Sequence, residues 1–506
     1  MQFLGWLDIL VLVAYFATAV AVGLFVSGRS KSVEAFLLGD RNLPWWAILG
    51  SIVATETSGA TVLSVPGEAY SPTGMKFLQI ALGYIIGRTI IVYGLLPLYF
   101  RGQLLTAYEV LNQRFGGLAQ QAASLLFLVA RNLGDGLRLY LVAIVLQELA
   151  DIPLWLSVVV MGVVSTVYTF VGGMRSVIWN DCIQFGVYVL GGISAVFVIA
   201  GQISGGFGEV WRFAEESGKL RVFDWRLSLT MPYTFWASVI GGAVLTIGTH
   251  GTDHSMVQRY LSARSQRDAG RALFASGFIV FAQFAMFLFI GVELACYFAQ
   301  HPNPAVADLK LDRVFPYFIV HHFPRNTGLI GLMLAAILSS NLSSSLSASA
   351  AAVVNDFYLP WCKQPPSGGA QLALTRGVTV AFGVLQIGLG ILAERVSSRE
   401  DTTVVSAALA IASFVFGLLL GVFALGVLTR RASQVGALAG LGFGLVLLLF
   451  LLFGLPPLTV SPPDLPKGIK VAFPWFAVIG AGSTFVVGYL TSVLIPPSKL
   501  PQGTRS

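Results

Sequence analysis

The 506-residue sequence predicts an all-α integral membrane protein of about thirteen transmembrane helices, and three observations carry that expectation. Hydrophobic residues make up 56% of the chain and charged residues only 11%, whereas a soluble domain carries about 25% charge. The apolar residues gather into stretches of about 20 or more, the length at which a helix crosses a hydrocarbon core of roughly 30 Å. The remaining charges fall mostly into the short breaks between those stretches.

In order, the stretches lie at about 5–27, 45–70, 77–100, 119–149, 154–172, 177–201, 233–256, 270–298, 327–355, 372–393, 402–428, 434–454 and 474–495. The first follows Met1-Gln2-Phe3 with no basic segment and ends at Gly28-Arg29 rather than a small-residue cleavage site. It reads as a retained span, not a signal peptide. An external N-terminus puts Arg29, Lys31, Arg41, Arg101, Arg114, Arg175, Arg259, Arg264, Arg267, Arg271, Arg430 and Arg431 on the cytoplasmic side, as the positive-inside rule asks. The loop around 202–232, with Arg212, Lys219, Arg221 and Arg226, runs against it, but longer external loops weigh less. An odd number of spans then leaves the C-terminus cytoplasmic, in a multi-pass protein of the plasma (inner) membrane.

The longest loops, near 202–232 and 300–326, hold no separate soluble domain, so the helices must carry the function. The net charge of +7 comes without a Lys/Arg block, which argues against a nucleic-acid partner, and nothing points to an obligate protein partner. Cys182, Cys296 and Cys362 are far apart and match no metal or disulfide spacing. No nucleotide-binding loop supports ATP-driven transport.

Two spans are interrupted. The second reads Ser51-Ile-Val-Ala-Thr-Glu-Thr-Ser-Gly-Ala-Thr61 before Val65-Pro66-Gly67, and the seventh reads Gly248-Thr-His-Gly-Thr-Asp-His-Ser255. Backbone opened at membrane depth is tolerated only inside protein or along a cavity. Breaks at matching places in two repeats point to a midplane binding site. The chain therefore divides into an extra N-terminal helix and loop (1–44), a five-helix repeat (45–201), an external loop (202–232), a second, inverted five-helix repeat (233–430) and two C-terminal helices with a tail (431–506).

The ninth span carries Ala335-Ala-Ile-Leu-Ser-Ser-Asn-Leu-Ser-Ser-Ser-Leu-Ser347, a density of hydroxyls unusual in an apolar helix. Sodium is a hard cation, and hydroxyls together with carbonyls from a broken helix make an oxygen cage. Ser339 and Ser343 share a face, with Ser340 beside them. Interhelical packing by small residues is the alternative account. Ionisable residues at membrane depth are functional candidates because a charge there costs at least about 2.5–3.5 kcal/mol. Glu56, with Ser58 beside it in the break, either attracts a cation together with the opened carbonyls or forms a purely structural salt bridge, and both residues are candidates for substrate binding or gating. Asp181 is either a satisfied cap-type carboxylate or part of a second cation site. Arg131, Asp135 and Arg138 occupy a narrow helical sector, and either a carboxylate such as Glu56 or an anionic substrate completes their charge balance. Arg88 reads as paired or snorkelling. Asp253 and His254 are either gating groups or a solvated helix end. His250 and His254 form neither a triad nor a metal signature, so no enzyme reading survives.

The stretches Phe36-Leu-Leu-Gly-Asp-Arg-Asn-Leu43, Thr106-Ala-Tyr-Glu-Val-Leu-Asn-Gln-Arg-Phe-Gly116, Gly172-Gly-Met-Arg-Ser-Val-Ile-Trp-Asn-Asp181, Val257-Gln-Arg-Tyr-Leu261 and the Ala336–Ser344 run with Asn355-Asp-Phe-Tyr358 together resemble the sodium:solute symporters, and the likeness covers nearly the whole chain. The resemblance implies a LeuT-type 5+5 inverted-repeat core working by alternating access. It places a sodium ion on the carbonyls of Ala54, Thr57 and Ala336 and the hydroxyls of Ser339 and Ser340. A candidate second sodium would use Asp181 and Ser343, although Leu342 stands where some members have a hydroxyl. Proline carriers have an acidic residue at the position of Glu56 and sugar carriers do not.

The expected protein is thus a sodium-coupled importer of a small polar organic solute, with Arg131 and Arg138 favouring a carboxylate-bearing one over a neutral sugar or amino acid. A sensor or ion-conducting protein on the same core is the other class considered. The expected partners are sodium, the solute and the lipid bilayer, with no cofactor beyond the ion.

Overall fold

The computed structural model describes residues 4–26, 41–101, 108–150, 152–168, 174–338, 343–362, 368–396, 403–453 and 471–495. These are almost all helical, because apolar backbone in lipid can satisfy its N–H and C=O groups only within its own segment. The principal helices are α1 (Trp6–Val26), α2 (Trp45–Glu56), α3 (Gly59–Tyr70), α4 (Gln79–Gly94), α5 (Gly117–Ala150), α6 (Leu154–Tyr168), α7 (Met174–Gln202), α8 (Gly206–Glu216) and α9 (Phe235–Thr252). They continue with α10 (His254–Leu261), α11 (Gln266–Gln300), α12 (Leu311–His322), α13 (Leu329–Leu338), α14 (Ser343–Ala352), α15 (Gly368–Val396), α16 (Val404–Leu428), α17 (Gln434–Phe453) and α18 (Phe473–Leu494).

By length and apolarity, seven helices among the described residues can cross a membrane, or nine if each of two bent pairs counts as one span. Not all of the thirteen stretches count on that measure: the fourth and fifth form one bent pair, α1 counts only as the shorter apolar helix Trp6–Val22, and the seventh is divided. The second stretch is α2 and α3, bent by 58°. The seventh is α9 and α10, meeting at Asp253, whose side chain caps α10 by accepting from the Ser255 amide at 2.7 Å. The ninth is α13 and α14, with 339–342 between them outside the described residues, followed by a π-helical turn at Val353–Tyr358. The breaks in the second and seventh stretches were expected from their Gly, Ser and Thr content.

One group of helices packs α2, α3, α4, α9 and α11 together, and another packs α5 and α6 against α15. Small residues bring helices into direct backbone contact, which is how helices associate when lipid offers no hydrophobic penalty for separation. Along the α4–α9 seam, a Cβ on Gly83 would lie 2.5 Å from the Val239 carbonyl oxygen, one on Gly87 2.5 Å from that of Ala243, and one on Gly242 2.7 Å from that of Ile80. A Cβ on Gly291 of α11 would lie 2.0 Å from the Pro66 carbonyl oxygen in α3. Among the described residues, a parallel bridge also pairs Leu43, before α2, with Ala263, after α10.

Candidate functional site

The break in α2/α3 creates the polar backbone that a cation site needs. Thr57 N still donates to the Val53 carbonyl at 2.8 Å, but Ser58 N turns to the Thr61 hydroxyl. The carbonyls from Ala54 onward therefore lose their helical donors, as at any helix C-terminus. Thr57 is buried and its hydroxyl donates to Gln283 Oε1 of α11 at 2.8 Å, which fixes the break against that helix. Ala54, Ser58 and Ala336 are buried as well. Ser339 and Ser340 lie outside the described residues, and α14 begins at Ser343.

Glu56 pairs with Arg88 of α4, and its Oε2 lies 3.6 Å from His250 Nε2 of α9. Arg88 is fully buried and also donates to the Ser276 hydroxyl of α11 at 2.6 Å. One network thus ties α2, α4, α9 and α11. Glu56 does not complete the Arg131/Arg138 cluster, which was one of the two accounts weighed for it.

Asp253 takes that place. Its Oδ2 is 3.7 Å from Arg131 Nη1, while its Oδ1 accepts from the Ser255 amide and hydroxyl, each at 2.7 Å. The solvated-end account of Asp253 and His254 is corrected here, since each is only 4% exposed. Asp135 lies 3.3 Å from Arg131 Nε and 3.4 Å from Arg138 Nη1, accepts from the Ser345 hydroxyl, and is 3.4 Å from Gln386 Nε2. The Arg131 contacts are Coulombic and poorly aligned, because its buried Nε and Nη2 make no hydrogen bond among the described residues. A buried guanidinium with idle donors is costly unless something else binds it.

Asp181 Oδ2 accepts from the Ser51 hydroxyl at 2.5 Å and from Arg259 Nη2 at 3.3 Å. Arg259 Nε donates to the same hydroxyl at 2.9 Å and its Nη1 to the Ser255 carbonyl at 2.7 Å. Sequence reasoning missed Arg259 as the link between α2, α7 and α10, although it lies in one of the recognised stretches. A second sodium at Asp181 has to compete with this guanidinium.

A second polar cluster, also missed, joins α3, α12 and the start of α16. Glu68 accepts from the hydroxyls of Thr403 and Ser406 and, at 3.2 Å, from Tyr233. Asp312 of α12, in the connection between α11 and α13, accepts from the Ser64 hydroxyl at 2.5 Å and the Val404 amide at 3.0 Å. Ser64 Oγ in turn accepts from the Val405 amide at 2.9 Å. The Asp312 carboxylate and the hydroxyls of Ser64 and Thr403 thereby satisfy amides at the N-terminus of α16, where donors and the helix dipole favour negative charge, while Glu68 holds the hydroxyls of Thr403 and Ser406. Burial still pushes the Asp312 carboxyl up to about 7. Buried charge inside an apolar stretch was the signal that could have flagged Glu68.

The profile of the sodium:solute symporter family matches residues 36–444. The chain belongs to the sodium:solute symporter family. The human sodium-coupled monocarboxylate transporter 1 is 31% identical to this symporter over 468 residues, covering 90% of this chain and 75% of the relative. The rabbit (Oryctolagus cuniculus) sodium-dependent multivitamin transporter is 28% identical over 472 residues, covering 90% and 73%. Among solved structures, a substrate-bound, outward-open sodium-coupled sialic acid symporter superposes with a TM-score of 0.82 at 26% identity, covering 98% of this chain and 99% of the other. A nucleobase-cation-symport-1 family transporter shares the fold, with a TM-score of 0.55 at 12% identity.

The symporter therefore has the LeuT-type core, is a multi-pass membrane protein and not an enzyme, and moves a solute by alternating access with sodium as its coupling ion. The structure brings Ala54, Thr57, Ser58 and Glu56 together at one break, and Arg131, Asp135, Arg138 and Asp253 at the other.

Proposed function

We propose that this symporter imports a small carboxylate-bearing organic solute, held by Arg131 where α5 meets the α9/α10 break. The observation that carries this reading is the buried Arg131 guanidinium, whose Nη2 has no hydrogen-bond partner among the described residues. A planar guanidinium offers paired donors matched to a carboxylate. The substrate would supply aligned hydrogen bonds in place of the 3.7 Å contact to Asp253, and so release the α10 cap from α5. Relatives that are sodium-coupled monocarboxylate and sialic acid carriers support the same class.

The coupling ion would sit on the carbonyls of Ala54, Thr57 and Ala336 and the hydroxyls of Ser339 and Ser340, tying the α2/α3 break to the α13–α14 junction. Loss of sodium to the cell would release that tie. Residues 45–201 and 233–430 would be the inverted repeats, with the N-terminus outside and the C-terminus in the cytoplasm. The membrane potential adds about 2.3 kcal/mol per charge per 100 mV to the driving force.

The test is sodium-driven uptake in proteoliposomes, with short monocarboxylates and sugar acids competing against neutral sugars. Arg131→Ala should abolish uptake of the acids. Unchanged transport in that variant sinks the carboxylate reading. A zwitterionic amino acid is the second reading, favoured by Asp253 standing beside Arg131 as a partner for an ammonium group.

A further inference from the structure

Where α16 ends and the chain turns towards α17, a cavity of about 380 Å³ opens, lined by Leu428, Thr429, Arg430, Arg431 and, from α18, Phe485 and Tyr489. Arg430 and Arg431 are exposed, and no carboxylate is among the six lining residues. A third guanidinium approaches from the short helix Glu109–Phe115. Arg114 Nη2 donates to the carbonyl oxygens of Thr429 at 3.0 Å and Arg430 at 2.8 Å. It therefore occupies the backbone acceptors nearest to the two cavity arginines and adds to the positive charge of the turn.

The other wall is apolar. Phe485 and Tyr489 stack one helical turn apart, with ring planes 5° from parallel. The surface continues along α18 through Val486, Leu490 and Val493, which are 52%, 54% and 44% exposed. In a membrane carrier such residues face hydrocarbon, and a tyrosine beside arginines marks the level of the headgroups. The cavity thus offers two forked cations at the membrane surface above an aromatic floor that runs into the apolar layer.

We propose that this cavity binds an anionic phospholipid, its phosphate on Arg430 and Arg431 and an acyl chain along α18. Arginine forks suit phosphate oxygens, and basic pockets at transmembrane helix ends recognise anionic headgroups. A soluble anion would use the arginines but leave the aromatic wall bare, whereas a zwitterionic lipid would fill the wall but bring a cation to the arginines. The site also has mechanical leverage. The N-terminus of the same helix, α16, is held by Glu68, Asp312 and Ser64, so the lipid secures the opposite end of a helix that closes on α3.

The experiment uses the full-length protein, delipidated in maltoside detergent, with native mass spectrometry for retained lipid and thermal unfolding for its effect. Palmitoyl-oleoyl phosphatidylglycerol should bind and raise the unfolding midpoint, whereas palmitoyl-oleoyl phosphatidylcholine and inorganic phosphate should do neither. Arg430→Gln with Arg431→Gln should weaken phosphatidylglycerol binding about thirtyfold, the loss expected from two juxtamembrane charges. Arg430→Lys with Arg431→Lys should stay within a few-fold of wild type. Should the Gln variant not fold, wild-type affinity for phosphatidylglycerol should still fall as salt is raised from about 0.05 to 0.5 M, since exposed charges are screened. Undiminished binding by the Gln variant, affinity insensitive to salt, or equal binding of phosphatidylcholine overturns the proposal. An equal stabilisation by phosphate alone overturns it too, in favour of a simple anion site.

Discussion

Glu56→Gln should destabilise this symporter far more than a change at a binding-site carboxylate ordinarily would. It strips the charge from the partner of Arg88, whose side chain is fully buried while that of Glu56 is 14% exposed. The Ser276 hydroxyl at 2.6 Å and the His250 ring at 3.4 Å remain, and neither brings a negative charge. Removing one member of a buried pair costs about 3–5 kcal/mol. Glutamine keeps the shape and one acceptor, so the lower end applies, and about 3 kcal/mol is a factor of about 150 in the folded-to-unfolded ratio. The assay is equilibrium unfolding by SDS titration in maltoside micelles, in choline chloride so that ion binding does not contribute. Arg88→Met should cost a similar amount, and the double variant should recover most of the loss, because an apolar replacement for a buried pair is often neutral. A Glu56→Gln protein that unfolds with wild type, or a double variant worse than both singles, would refute the view that this pair holds α2 to α4.

Ser340→Ala should remove the stabilisation by sodium, about 2.7 kcal/mol at a hundredfold excess over Kd; a midpoint still raised by sodium over potassium and choline in the variant would reject that ligand. Asp312 gives a pH dependence. Its carboxyl ordinarily titrates at 3.8 but at about 7 in this structure, so the contact of α12 with α16 contributes most below pH about 4 and is lost as pH rises through about 7. The groups facing it are Ser64 and Glu68 on α3, the Val404 amide on α16 and neighbouring Lys310, with the Arg313–Glu148 pair linking α12 to α5. Acid on the side that carries α12 should therefore slow opening there, and Asp312→Asn should flatten that part of the pH–uptake profile; an identical profile in the variant discards the mechanism. Glu293 of α11 is buried with both carboxylate oxygens unbonded among the described residues. Glu293→Leu should raise the unfolding midpoint because an unpaired buried polar group is costly, and a lowered midpoint would mean that the carboxylate has a stabilising role.

The breaks at Thr57–Ser58 and Asp253 were legible because a helix in lipid advertises its interruptions through glycine and hydroxyl residues. The pairing of charges across the breaks was not. Sequence spacing places Arg131, Asp135 and Arg138 on one sector, but nothing in it says whether the next carboxylate is Glu56 or Asp253, 75 or 122 residues away by number. Arg259 and Asp181 each lay in a recognised stretch, yet their contact appears only once α7 and α10 are both set against α2. Glu68 carried a signal of its own as a charge inside an apolar stretch, but its meeting with Asp312 and Thr403 did not, because three segments from distant parts of the chain converge on one helix start. Length and apolarity alone pick out seven to nine spans among the described residues, since one bent pair merges two neighbouring stretches and the α9/α10 break leaves neither piece long and apolar enough to cross alone.

The α4–α9 seam determines where this protein can move. With each helix pressed onto the other's main chain at Gly83, Gly87 and Gly242, there is little room at these points for one helix to creep past the other. A shift of one residue would drive a Cβ into a carbonyl, so the two behave as a single beam. Movement then falls to joints that can unfasten and refasten, such as Arg131 with Asp253, Arg259 with Asp181, and Glu68 with the hydroxyls of α16. The carrier is then a stiff lever with polar clasps, and the glycines make the clasps the parts that open.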